Sequence, residues 1–505
     1  MRNVLRHVAE RRVIINEHPL FEWMRTADIP IEERLALLPV MANFSMGFRD
    51  VNKWVLRYPH ASGELERGIN IHTFEDQTHS HLFLEDWRLL DLDKRLGWTA
   101  SDTLWWLFLA DANEAARRHG VYFLSLQAAD KDDPLLRFAQ SEVIEACGAV
   151  FFSHIAKLAV RYTEQTGVEL PYLGPFHLAR ESGHMECEDL FEEQILDDGR
   201  GRLALGLVDA MFDVFTDTFD MWLHYASTYL AAGTSPRRPA ICPVTAASNG
   251  GGSARPCTGG PVHDSQAPVE RLLLERKART ARHPLFTWLK NRGPGMSALQ
   301  ALQRFFPMWA MDVMGYRDLN SYGMGYARAA TELERGVNAW VAELTTHSVL
   351  YLNDWRELGL DELLGWTASQ TLEFCYLDPH VEPHRRNIAA FTSLAANHAD
   401  PLPRLWLMHA LESSGDAFFE HTQVLAAETE ALTGLRLDYA AGRHEIGGLP
   451  SAPPAPTAPV TFKDRAMTRS QADIVTGMIE TVFDAIDEQF DISLDVALSN
   501  KFGIP

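Results

Sequence analysis

Leu65–Leu104 reads LERGINIHTFEDQTHSHLFLEDWRLLDLDKRLGWTASDTL, and Leu333–Leu372 reads LERGVNAWVAELTTHSVLYLNDWRELGLDELLGWTASQTL. The two stretches align from end to end without a gap. Matching continues on both sides. EHPLFEWM from Glu17 pairs with RHPLFTWL from Arg282, and MGFRDVN from Met46 with MGYRDLN from Met314. Further on, GAVFFSH from Gly148 pairs with GDAFFEH from Gly415, and TGVELPYLGPFH, ending at His177, with TGLRLDYAAGRH, ending at His444. MFDVFTDTFDMWL pairs with VFDAIDEQFDISL after a Pro-rich insertion at Ser451–Val460. The chain is a tandem duplication, and each copy is long enough to be a domain.

Within each copy the hydrophobic spacing is helical. LPVMANFSMGFRDVNKWVL and ACGAVFFSHIAKLAVRY place apolar residues at i, i+3, i+4 and i+7, the stripe of a helix that buries one face. Thr99 and Ser101, with Thr367 and Ser369 in the second copy, have the chemistry of helix N-caps. No alternating strand pattern with a hairpin signal appears. The expected fold is all-α, two tandem domains of about seven helices each, spanning 1–232 and 269–505. Between them, residues 233–268 are rich in Gly, Pro, Ser and Ala and are read as a flexible linker, because such a stretch buries too little apolar surface to fold.

The formal net charge of −22 argues against a nucleic-acid partner, since phosphate binding needs basic patches. No run of about 18 apolar residues is read as a membrane span. The N-terminus lacks the apolar core of a signal peptide. Five cysteines show no CxxC or framework spacing. These features predict a cytoplasmic protein without structural disulfides or a membrane partner.

Phe176–Asp189, FHLARESGHMECED, puts His177, Glu181 and His184 at i, i+4 and i+7. On a helix the three lie within about 60° of one another, a stripe that is costly to bury and well suited to a metal ion. The duplication sorts the other candidates. Glu75 and His79 recur as Glu343 and His347, an ExxxH pair one helical turn apart; Glu145 recurs as Glu412 and His177 as His444. Glu181 and His184 align instead with Gly448 and Ser451, while His72 becomes Trp340. Three carboxylates and three imidazoles from three segments (Glu75, His79, Glu145, His177, Glu181, His184) suit a pair of non-haem irons, or manganese, better than zinc. His72, His81, Glu142, His154 and Glu186 are placed outside this set. The second copy keeps only Glu343, His347, Glu412 and His444, a vestigial site holding one metal ion or none, with a Gly447–Pro450 break ending its helix early.

With these ligands placed, the pattern resembles the haem-oxygenase-like di-iron oxidases and oxygenases. Their signature is a Glu and a His on an early helix, a Glu on a middle helix, and Hxxx(D/E)xxH on a later one. The first-helix spacing varies among members, so His72 or His81 is an alternative to His79. The resemblance implies two Fe(II)/Fe(III) ions, O2 as co-substrate and an external reductant. Glu75, His79 and His177 would hold one ion, Glu181 and His184 the other, with Glu145 bridging. A ferritin-like bundle fits less well, because it needs a second ExxH.

The resemblance implies an O2-dependent oxygenase of specialised metabolism. A small amine or amino-acid-derived substrate, N-oxygenated, suits the acidic chain. Oxidative C–C cleavage, desaturation or decarboxylation at the same site is the alternative, and a non-catalytic metal-binding or interaction scaffold is the alternative of another class. Candidate cavity walls are Phe74, Trp105, Phe151 and Phe176. The duplication suggests that the two copies pair within one chain in place of a homodimer.

Overall fold

The computed structural model describes the chain apart from residues 130–132, 181–187, 240–255, 257, 294, 444–459 and 505, and the side chains of Glu75, Gln127 and Ala129. The regular elements among the described residues are all helices, with no strand among them. They form two compact units. One comprises Met1–Arg238 together with Thr367–Leu377; the other comprises Pro239–Trp366 together with Asp378–Pro505.

In the first unit a 33-residue helix, Pro134–Thr166, is the central element. Its ends follow from its sequence. The Asp133 side chain accepts from Leu135 N, Pro134 needs no donor in the first turn, and Gly167 ends the helix at φ 76°. Asp198–Tyr225 and Arg2–Ile15 pack along it. Pro19–Thr26 is capped by its own preceding histidine, whose Nδ1 accepts from Leu20 N at 3.2 Å. Leu38–Asp50 passes directly into a π-helical stretch, Val51–Leu56, which packs on the helix Glu64–Asp76. Thr99 caps Ala100–Phe108 with a full capping box through Asp102, as expected. Ala368–Leu377, from the second copy of the repeat, packs on Leu38–Asp50, His79–Leu89 and Ala100–Phe108 in this unit.

The second unit repeats these devices. Pro401–Thr433 is again 33 residues long, capped by Asp400 and ended by Gly434 at φ 77°. His283 caps Pro284–Asn291, and a π-helical stretch, Leu319–Met324, follows Ala310–Asp318.

Several sequence expectations change. Pro134–Thr166 does contain an 18-residue window apolar enough to cross a membrane, but 72% of that window is buried inside the protein, so its apolarity serves a core helix. Glu75 and His79 do not share a helix. Glu64–Asp76 stops, two turn residues follow, and His79 opens the next helix, His79–Leu89. The Phe176–Asp189 stretch is described only at its ends, as Pro175–Leu178 and from Glu188. Both ends of the stretch read as linker are tied down. Pro236 O accepts from Trp98 Nε1 at 3.2 Å, and Arg238 pairs with Asp102. Buried Gln266 bonds to the carbonyls of Phe462 and Arg465 and accepts from Trp406 Nε1. The centre of that stretch lies outside the described residues, as does Gly447–Pro450.

Candidate metal centre

His72 and Asp76 are one turn apart on Glu64–Asp76 and face the middle of the Pro134–Thr166 helix, where Glu145 projects. All three are buried, at 9%, 6% and 5% exposure. His72 Nε2 lies 3.1 Å from Asp76 Oδ2 and 3.2 Å from Glu145 Oε1. Ligand atoms of the three residues fall within 4.8 Å of one another. One imidazole nitrogen has a single hydrogen or a single lone pair, so it cannot serve both carboxylates well. Among the described residues Asp76 Oδ2 has no hydrogen bond of good geometry. A shared divalent cation would satisfy all three groups at once, and the mixed carboxylate and imidazole donors match iron or manganese chemistry.

Two further imidazoles adjoin this group. His79 Nε2 lies 3.9 Å from Asp76 Oδ1, and its ring meets that of His177 edge-to-face at 4.2 Å. Burial pushes the Asp76 carboxyl up, but the imidazoles of His72, His79 and His177 outweigh it and hold the group below the usual carboxylate range.

His177 is fully buried between Phe152 and Tyr172, with ring centroids at 4.1 and 4.9 Å. Its Nδ1 lies 2.9 Å from the Tyr172 carbonyl oxygen. A carbonyl only accepts, so Nδ1 carries the hydrogen and Nε2 keeps the lone pair a metal needs. The turn bearing Tyr172 is held in place by buried Asp86, which accepts from Tyr172 N at 3.1 Å and Leu173 N at 2.7 Å.

The structure therefore brings together His79, Glu145 and His177 from the predicted set, and adds Asp76 and His72. Glu75 lies in the same helix, but its side chain is outside the described residues, as are Glu181, His184 and Glu186. Comparison of the copies hides Asp76, because Leu344 stands in its place, and leaves His72 only as an alternative to His79, because Trp340 is its counterpart. The signal that marks them is spacing, since His72-x3-Asp76-x2-His79 sets two imidazoles and a carboxylate at i, i+4 and i+7. Exposed His81 is not in the cluster. His154 is a packing residue, bonded to Asn16 Oδ1 at 3.0 Å and stacked on Phe21. Phe74 and Phe176 are exposed, whereas Phe151 packs in the core against Trp222.

In the second unit Glu343, His347 and Glu412 line one cavity of about 130 Å³, and His444 lies outside the described residues. Among the described residues this unit has no three metal-binding side chains as close as the first unit's group. Buried Trp340 and half-buried Leu344 stand where His72 and Asp76 would be.

No protein-family model matches the chain, and no curated protein matches it either.

Proposed function

We propose that the first unit is a non-haem di-iron, O2-dependent oxygenase of the haem-oxygenase-like kind, acting on a small amine or amino-acid-derived substrate. The observation that carries this reading is the buried His72–Asp76–Glu145 group with His79 and His177 against it. These five residues would hold iron, together with Glu75, Glu181 and His184, the remaining donors that the resemblance implies. Bound ferrous ions supply reductive activation of O2. For an amine the balance is RNH2 + O2 + 2 electrons + 2 protons giving RNHOH + H2O, so an external two-electron reductant is required.

The chain's own residues do the rest. The Tyr172 carbonyl keeps His177 in the metal-binding tautomer, and Asp86 fixes the turn that presents it. Phe83, Phe152 and Tyr172 wall off the His177 side from water. Interior carboxylates in a chain of net charge −22 favour a cationic or zwitterionic substrate over an anionic one.

The test is anaerobic Fe(II) titration of the full chain, followed by O2 uptake over a panel of amines and amino acids. Two irons per chain and amine-triggered O2 consumption are expected, both lost in Asp76→Asn, His177→Gln and Glu181→Ala. A chain that takes up no iron, or a Glu181→Ala variant indistinguishable from wild type, would sink the reading. Product analysis separates N-oxygenation from C–C cleavage, desaturation or decarboxylation.

A further inference from the structure

The second unit does not simply lack ligands; at three aligned positions it buries polar groups that the first copy does not have there. Asp312 stands where the first copy has Phe44, His384 where it has Ala116, and Gln489 where it has Thr218. The three form one buried relay. His384 Nδ1 bonds to Asp312 Oδ2, and Gln489 Nε2 donates to Asp312 Oδ1 at 2.7 Å. A carboxylate, an imidazole and an amide buried where the first copy has Phe, Ala and Thr are costly unless the polar groups are paired or used. Here they are only partly used within the chain. The buried His384 Nε2 has no hydrogen-bond partner among the described residues, and neither has the indole N–H of buried Trp309.

Asp312 and Trp309 both line the cavity of about 130 Å³. Glu343, Glu412 and Asp416 add three more carboxylates to its wall, Asp416 being paired with Lys277 at 2.7 Å; no lysine or arginine itself lines the cavity among the described residues. Tyr316, Tyr439, Phe419 and Phe490 supply ring faces and edges. Trp309 itself replaces Met41 of the first copy. Carboxylates set among aromatic rings are the surroundings that attract an organic ammonium, through charge and through the negative face of each ring.

We infer that the second unit is a binding site for a small organic cation, an alkyl- or arylammonium, housed in the cavity between Trp309, Asp312, Glu343 and Glu412. The His384–Asp312–Gln489 relay fixes the orientation of the Asp312 carboxylate toward that ligand. Binding at this site requires no metal, so it stands or falls separately from the oxygenase reading.

The experiment is calorimetric titration of the full, metal-free chain with tetramethylammonium, choline and benzylammonium chlorides. The uncharged isostere of choline, 3,3-dimethylbutan-1-ol, is run alongside. At least one cation is expected to bind with a dissociation constant below 1 mM, at least tenfold tighter than the neutral isostere binds. Glu412→Gln and Asp312→Asn are each expected to weaken it at least tenfold with unchanged circular dichroism, while Glu145→Gln in the first unit leaves it unaltered. If Asp312→Asn misfolds, Glu412→Gln alone decides. The inference is overturned if none of the three cations binds with a dissociation constant below 1 mM, if the isostere binds as well, or if Glu145→Gln rather than Glu412→Gln removes binding.

Discussion

Asp86 in the first unit and Asp354 in the second hold equivalent turns by the same device. Asp86 accepts the backbone N–H groups of Tyr172 and Leu173, and Asp354 accepts that of Ala440 at 2.9 Å. Burial outweighs those hydrogen bonds and pushes both carboxyls up to about 7. An aspartate in the unfolded chain titrates near 4. Between these values the folded protein keeps a proton that the unfolded chain releases. Each group therefore makes stability fall as pH rises through that window, by at most about 1.4 kcal/mol per pH unit, with the loss complete above about 7. Urea midpoints at pH 5, 6, 7 and 8 should decline in wild type and decline less steeply in Asp86→Asn/Asp354→Asn. Parallel profiles would show that neither carboxyl titrates there.

Asp86→Ala removes the acceptor for two backbone N–H groups in the turn that presents His177. Loosening a support of this kind typically weakens a metal site by about 10–100-fold. Competitive Fe(II) titration against a chelator should show that drop, while Asp354→Ala leaves the tightly bound iron unchanged.

His72→Trp/Asp76→Leu writes the second copy's residues into the first. Their counterparts Trp340 and Leu344 are accommodated in the second unit, so the double variant should fold. Its iron content should fall below one-tenth of the wild-type value. Full iron loading of that variant would show that the His72–Asp76–Glu145 group is not the metal centre.

Asp93 is a hub of four donors. Its carboxylate takes Trp87 Nε1 at 2.9 Å, Ser369 N at 2.8 Å, and the hydroxyls of Thr367 and Ser369. Asp93→Ala leaves these groups without their acceptor and should cost about 2–3 kcal/mol by urea unfolding. Arg88→Ala, which breaks only the exposed pair with Glu373, should cost less than about 1 kcal/mol. Equal effects would mean that the cap adds nothing beyond surface charge.

The all-helical fold was legible because helix spacing and cap chemistry are local. Asp133-Pro134 and Gly167 mark the ends of the central helix in the sequence itself. Asking which polar residues both copies retain found His79, Glu145 and His177. The same question conceals Asp76 and His72, since a residue present in one copy and absent from the other looks like drift. The break at Gln77–Thr78 is equally invisible, because both residues are tolerated in a helix. The His384–Asp312–Gln489 relay is drawn from three distant segments, and only folding brings them together.

The boundary of the repeat and the boundary of the compact unit are not the same. Thr367–Leu377 is encoded in the second copy yet belongs to the first unit. An amino-terminal fragment truncated after the first copy would therefore lack a helix of its own body and leave Asp93 facing vacated ground. Whoever dissects the gene into halves must graft that segment onto the front piece, or supply it in trans, before concluding anything from what the fragment fails to do.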